Sequence, residues 1–237
     1  MGRKLIEKTI LVISDQHIPY QHPDMMDFLK AIKKKYNPTR IVNIGDELDH
    51  HALSFHDSDP DLPSAGDEHR IALKSINELE KLFPKMDLVH SNHGSLAYRR
   101  AFATGIPKAY IKDYNDFLQV GKGWKWHEDI TLETATGRVY FCHGKVANIT
   151  KLVQQYGMSC VQGHYHSQMK IEYVSRPDAL TWGLQVGCLV DKDSMAMAYG
   201  RVFKDRPLIG TGIIIEGMPK LLPMILNKGG KWNKVVP

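Results

Sequence analysis

The stretch Thr9-Ile10-Leu11-Val12-Ile13-Ser14, which runs directly into Asp15-Gln16-His17, decides how this chain is read. A short aliphatic and β-branched run of this kind reads as a strand. It ends at a carboxylate and an imidazole two residues apart. The arrangement recurs along the chain. Arg40 to Ile44 leads into Gly45-Asp46, Asp87 to His90 into Ser91-Asn92-His93, Arg138 to Cys142 into His143, and Ser159 to Gln162 into Gly163-His164-Tyr165-His166.

Helical patterns separate these runs. Between Pro23 and Tyr36, Met26, Phe28, Leu29 and Ile32 fall at helical spacing. Ile71, Leu73, Ile76, Leu79, Leu82 and Phe83 mark a second helix with Ser64 or Asp67 as its N-cap, and a short third lies near Val146 to Tyr156. The stretch from Glu47 to Ser64 reads as a long polar loop. The last third, with runs at Ile171–Val174, Leu180–Val190, Gly212–Glu216 and Lys220–Leu226, reads mostly as strand. The expected architecture is an α/β sandwich with strands packed on strands and helices outside. The least regular segment, Ser95 to Trp126, is expected to be a cap or insertion (about 95–126) within one domain spanning 1–237.

Composition narrows the class. The 237 residues are 43% hydrophobic and 24% charged, as in ordinary globular domains, which excludes a disordered or coiled-coil chain. A net charge of +5 is compatible with a phosphate-bearing partner. Three cysteines without CxxC spacing suggest neither a disulfide framework nor a thiolate zinc site. Met1 to Lys8 is too charged for a signal peptide, and no apolar run approaches ~18 residues. The expectation is a cytoplasmic protein with no membrane partner; oligomeric state is left open.

The 12 histidines are the unusual feature. Ligands in open α/β sheets bind beyond the carboxyl ends of the strands, so if these strands share one sheet edge, Asp15, His17, Asp46, Asn92, His93, His143, His164 and His166 converge. Spacing adds support, since residues two apart in extended backbone project to the same side. Without His93, these are two carboxylates, one amide and four imidazoles, which suit Mn, Fe, Zn or Mg better than thiolate-seeking metals. Seven ligands exceed the needs of one tetrahedral ion and fit a pair sharing a bridging carboxylate.

At these positions the sequence resembles the calcineurin-like metallophosphoesterase superfamily, with its D-x-H, G-D-x-x-D, G-N-H-(D/E), lone H and G-H-x-H motifs in that order. They stand here as Asp15-Gln16-His17, Gly45-Asp46-Glu47-Leu48-Asp49, Ser91-Asn92-His93-Gly94, His143, and Gly163-His164-Tyr165-His166. The resemblance implies a four-layer α/β/β/α sandwich of two mixed β-sheets flanked by helices, and the C-terminal strands are compatible with the second sheet. It implies one ion held by Asp15, His17, Asp46 and His166, and another by Asp46, Asn92, His143 and His164. His93 would be the acid or transition-state stabiliser, and Asp49 would orient it. Mn2+ is the first expectation for both ions, with Fe, Zn, Ni or Mg also accepted. A hydroxide bridging two cations is a nucleophile at neutral pH, because metal binding can lower the pKa of water to ~7. The implied activity is phosphoester hydrolysis by in-line attack at phosphorus.

Ser91 replaces the motif glycine and Gly94 the motif carboxylate, which removes the support that carboxylate would give. His50 stands where the serine/threonine phosphatase branch has a phosphate-gripping arginine, which argues against that branch. His50, Arg99 and Arg100 are the candidates for substrate contact. A phosphodiesterase or nuclease acting on DNA, RNA or nucleotides fits the basic balance and the aromatic and basic residues of 95–126. A phosphomonoesterase acting on a nucleotide, small molecule or phosphoprotein is the alternative, and a non-catalytic scaffold with this fold is a third. His22, His56, His69, His90 and His127 read as satisfied structural histidines, Cys142 as an inert core thiol and Tyr165 as packing. There is no GxxxxGK(S/T), GxGxxG, GxSxG or HExxH motif; after His127-Glu128, Thr131 stands where a zinc protease needs histidine.

Overall fold

The computed structural model describes residues 6–55, 59–177, 179–191, 193–194 and 206–237. Strands and helices alternate as β1 (Thr9–Ile13), α1 (Met25–Tyr36), β2 (Arg40–Asn43), α2 (Ala65–Leu82), β3 (Met86–Val89), α3 (Leu96–Ala103), α4 (Tyr114–Leu118), β4 (Trp124–His127), β5 (Ile130–Thr134), β6 (Gly137–Cys142), α5 (Ile149–Tyr156), β7 (Ser159–Gln162), β8 (Met169–Ser175), β9 (Leu180–Val186), β10 (Gly210–Ile215) and β11 (Met218–Pro223). They form a six-stranded sheet, ordered β11-β10-β1-β2-β3-β4, and a five-stranded sheet, ordered β5-β6-β7-β9-β8. Both are mixed. β1 to β4 run parallel, with β10 antiparallel to β1. In the second sheet β6, β7 and β9 run parallel between antiparallel edges.

Side-chain alternation on β1 explains the layering. Ile10 and Val12 point into an inter-sheet core with Val42, Ile44, Phe141, Val161, Trp182 and Leu184. Leu11 and Ile13 point the other way, onto Phe28, Leu29 and Ile32 of α1 and Ile76 and Leu79 of α2. A strand buried on both faces reads as a continuous apolar run, as β1 does. Beyond the second sheet, Tyr140, Cys142 and Cys160 pack against Ile149, Leu152 and Val153 of α5. The result is a four-layer α/β/β/α sandwich of two mixed sheets flanked by helices. Ser64 caps α2 through its side chain, which accepts from the Asp67 amide.

Two expectations change. The C-terminal strands do not all join the second sheet: β8 and β9 do, whereas β10 and β11 return to the first, beside β1. The segment 95–126 does not stay outside the core throughout. Trp124 to Trp126 lie in β4, parallel to β3, and Trp124 is fully buried and donates its indole N–H to the Phe83 carbonyl at 2.9 Å. Trp124-Lys125-Trp126-His127 lacks the aliphatic β-branched residue that marks the other four-residue strands, so the sequence did not set it apart from the surrounding segment. His56 lies outside the described residues.

Candidate metal centre

The parallel strands β1, β2 and β3 of one sheet and β6 and β7 of the other finish at a common edge of the sandwich. The donors therefore come from two sheets and not one. Nor does extended backbone align the paired donors. Asp15 (φ 50°), His17 (φ 49°), Asp46 (φ 52°) and His164 (φ 67°) all lie in the left-handed region, in turns just past their strands. Non-glycine residues in that region are sparse and concentrate at functional sites.

These turns press the donors together. Asp46 accepts the His93 main-chain N–H on Oδ1 at 3.0 Å, which leaves Oδ2 3.5 Å from His17 Nε2 and 3.2 Å from His143 Nε2. Asp15 Oδ1 is 3.1 Å from His166 Nε2, and His17 Nε2 is 3.2 Å from the same nitrogen. Asn92 Oδ1 is 2.7 Å from His143 Nε2, which is also 3.2 Å from His164 Nδ1. Every predicted metal donor thus belongs to one connected cluster, with Asp46 between its halves. His143 donates Nδ1–H to the Ile44 carbonyl at 2.9 Å, and His17 donates Nδ1–H to Asp49 Oδ1 at 2.6 Å. Both rings are fixed with Nε2 facing inward.

Burial opposes charge on His143, but Asp46 outweighs it and holds the imidazole up at about 9. His166 is also raised: burial opposes its charge and Asp15 favours it. His164 is lowered, first by burial and then by His143. Although burial acts against ionisation, His143 holds Asp46 well below the usual carboxylate range, and His166 does the same to Asp15 more weakly. The chemistry of the set fits divalent cations. Asn92 Oδ1 and His143 Nε2 meet at 2.7 Å with the other imidazole proton already donated, so a proton or a cation must separate them.

His93 and Asp49 are arranged differently from the expectation. The Asp49 carboxylate bonds His17 and stands 3.6 Å from His93 Nδ1. His93 Nδ1–H donates instead to the Asp49 main-chain carbonyl at 2.5 Å. Asp49 thus orients a donor with its side chain and His93 with its backbone. His50 donates Nδ1–H to the His93 carbonyl at 2.9 Å and is buried, so its observed role is to brace that turn. Arg100 donates Nε–H to the Leu53 carbonyl at 2.7 Å and also bonds the Ser54 carbonyl. Both Arg99 and Arg100 lie over the Phe55 ring. These contacts tie α3 to the 51–55 turn.

Sequence reasoning missed the roles of two residues here: Ser91, at a departure from the third motif, and Glu47, at a variable position of the second. Ser91 Oγ accepts from the Asp46 amide at 2.8 Å and the Gly94 amide at 3.1 Å, joining the second and third motifs. Gly45 (φ 100°) makes room for it, since a Cβ there would lie 2.5 Å from Ser91 Cβ. Glu47 is buried with its carboxylate against Gly94, 3.2 Å from where a Cβ would stand. It therefore occupies space beside the position that lacks an acid. Burial first, and Asp46 in addition, push Glu47 up to about 7. A carboxylate next to Asp46 and a missing one at Gly94 were both legible; their proximity was not.

The structural histidines mostly read as expected. His22 accepts from the Asp24 amide and donates to the Gly230 carbonyl, and His127 pairs with Asp87 at 2.8 Å, whereas His69 stacks on Phe117 but leaves its buried Nδ1 without a hydrogen-bond partner among the described residues. Cys142 is buried on the face of β6 turned toward α5, and burial pushes its thiol up to about 12, the condition of an inert thiol. Tyr165 is half-buried with its ring 5.0 Å from that of His164.

A two-sheet sandwich with a cluster of imidazoles and carboxylates at its strand ends defines a class of metal-dependent phosphoester hydrolases. The calcineurin-like phosphoesterase family model matches residues 8–182, and the chain belongs to that family. No curated protein matches the sequence. Among solved structures, the fold is similar to that of Vps29 from Chaetomium thermophilum, with 12% identity, a TM-score of 0.51, and 98% of this chain and 96% of that chain covered. It is also similar to vacuolar protein sorting 29 from Cryptosporidium parvum, with 12% identity, a TM-score of 0.52 and 98% of each chain covered. An archaeal phosphodiesterase aligns at 14% identity and a TM-score of 0.47, over 97% of this chain and 99% of that one.

Proposed function

We propose that this phosphoesterase is a dinuclear, metal-dependent phosphodiesterase acting on nucleotides or nucleic acid through a single domain. The observation that carries the dinuclear reading is Asp46 Oδ2, within 3.5 Å of His17 Nε2 on one side and 3.2 Å of His143 Nε2 on the other. Asp15, His17, Asp46 and His166 would hold one cation, and Asp46, Asn92, His143 and His164 the second. Mn2+ is the leading choice, with Fe, Zn, Ni or Mg compatible with the same donors. Such a pair would supply a water deprotonated near neutral pH and charge neutralisation at phosphorus.

The protein's own groups do the rest. Asp49 and the Ile44 carbonyl keep His17 and His143 in the tautomer that presents Nε2. The Asp49 carbonyl holds His93 by Nδ1–H, so a cationic His93 presents its remaining N–H outward to protonate the leaving oxygen. A nucleotide or nucleic-acid diester is compatible with the basic charge, and the aromatic, lysine-bearing wall beside Asn92 supports it. Cys142, Cys160 and Cys188 are all free and buried, which supports a cytoplasmic setting. No helix among the described residues is long and apolar enough to cross a membrane.

The test is dialysis against a chelator, then Mn2+ add-back, on paired aryl phosphodiester and phosphomonoester substrates. Expected is activity that vanishes and returns with metal, larger on the diester. Turnover indifferent to metal defeats the reading; preference for the monoester replaces the diester with the phosphatase alternative. Stoichiometric metal uptake without turnover on either substrate indicates a scaffold.

A further inference from the structure

Next to the donor cluster is a cavity of about 610 Å3 that the chemistry at phosphorus does not use. Asn92, His143 and His164 form its inner end, and the segment after His93 forms its wall. Tyr98 and Tyr114 stand with ring centroids 4.9 Å apart. Behind them Trp126 stacks on Tyr114 at 5.2 Å and 14°. The wall is therefore a stack of rings anchored to the edge strand β4. Phe102 extends it outward and is 63% exposed. Lys108 and Lys145 face the same space, Lys145 with Asp129 at 3.4 Å, and Glu128 adds a hydrogen-bond acceptor.

We propose that this cavity seats one unpaired nucleobase of the substrate, stacked on the exposed ring of Phe102 beside the Tyr98–Tyr114 pair, with its phosphate at the donor cluster. The inference rests on the phosphoesterase reading for the phosphate and on the wall alone for the base. Volume places the cavity within the roughly 300–1,000 Å3 of small-ligand sites. Stacking needs an open ring face, which a base inside a duplex does not offer, so the ligand is a nucleotide, a strand end or a single strand. Because every base has such a face, the site should discriminate weakly among the four bases and strongly against their absence.

The experiment is calorimetric titration of the full chain with Mn2+ present, using adenosine 5′-monophosphate against ribose 5-phosphate, with wild type and Phe102→Ala. Phe102 is exposed, so its removal leaves the core intact. Stacking of one base corresponds to about tenfold or more in affinity. Expected is adenosine monophosphate binding at least tenfold tighter, a margin that Phe102→Ala largely removes. Equal affinity of the two ligands overturns the proposal, and so does a margin that survives Phe102→Ala. The readouts separate the two readings: metal-dependent hydrolysis of methyl p-nitrophenyl phosphate without a base margin leaves the hydrolase and removes the seat. A base margin without metal-dependent hydrolysis does the reverse.

Discussion

The donor cluster and the aromatic wall share a border at Asn92 but are built on opposite principles. The cluster is made of compact, largely buried side chains, four of them (Asp15, His17, Asp46 and His164) in the left-handed region, and its central members are held by a second partner: His17 by Asp49, His143 by Ile44, Asp46 by the His93 amide. The wall is made of large, partly exposed rings on short helices, with Phe102 63% exposed. Reaction chemistry needs atoms placed to a fraction of an ångström, so the cluster is over-determined. Recognition of a flat apolar face tolerates looser placement, and the wall has it. Single substitutions should therefore act steeply in the cluster and shallowly in the wall.

The largest effect is expected for Asp46→Asn, which removes the charge shared by both halves. Metal content measured by elemental analysis should fall below two ions per chain and activity should be lost; two retained ions would break the bridging assignment. His93→Ala should keep both ions and lower kcat by about 10²–10⁴-fold, the usual worth of a positioned acid. Wild-type turnover would remove that role. Asp49→Ala acts one step back, through His17, and should weaken metal binding by roughly 10–100-fold. If kcat falls while metal affinity holds, Asp49 serves His93 and not His17.

Two pH effects are smaller. The proton that His143 holds up to about 9 must leave before the nitrogen can bind metal. Each such proton should weaken apparent metal affinity by about tenfold per pH unit lowered below that value, and calorimetry in buffers of different ionisation enthalpy should show proton release. A pH-independent affinity would contradict the donor assignment of His143. Glu47 shifts stability the other way from a paired acid. Its folded pKa is raised from 4.5 to about 7, so the metal-free fold binds the extra proton between those values and loses stability as pH rises through that window. Glu47→Gln should stabilise metal-free protein at pH 8 by on the order of 1–3 kcal/mol, read as a higher melting temperature, and change little at pH 4.5. No difference at pH 8 would mean that water reaches the carboxylate.

Much of the cluster was legible because each donor follows a strand that is itself easy to read. Asp15, Asp46, Asn92, His143 and His164 sit within a few residues of β1, β2, β3, β6 and β7, and parallel strands of a layered fold finish at one edge. The reason for their convergence was not legible. Alternation along an extended chain predicts that Asp15 and His17 share a side, yet both sit in left-handed turns, a backbone state that only glycine adopts routinely and that Asp and His reach too seldom for local sequence to announce it. Arg100 shows the opposite failure. A guanidinium beside aromatic residues matches a substrate contact by composition, but the carbonyls of Leu53 and Ser54 reach it first. Edge strand β4 was hidden because Trp124-Lys125-Trp126-His127 lacks the aliphatic β-branched residue that marked the other short strands.

The kind of chemistry available to this protein follows from the order and type of its residues: hard oxygen and nitrogen donors placed after strands, a family pattern, and a composition that folds in water. Those properties are local, and a linear chain carries them in full. Which sheet each strand joins, that Ser91 and Glu47 occupy the gaps left by two motif departures, and that the Tyr98–Tyr114 wall faces Asn92 are contacts between residues far apart in sequence. They are decided by packing, where one atom's volume excludes another, and that information exists only once the chain has closed on itself.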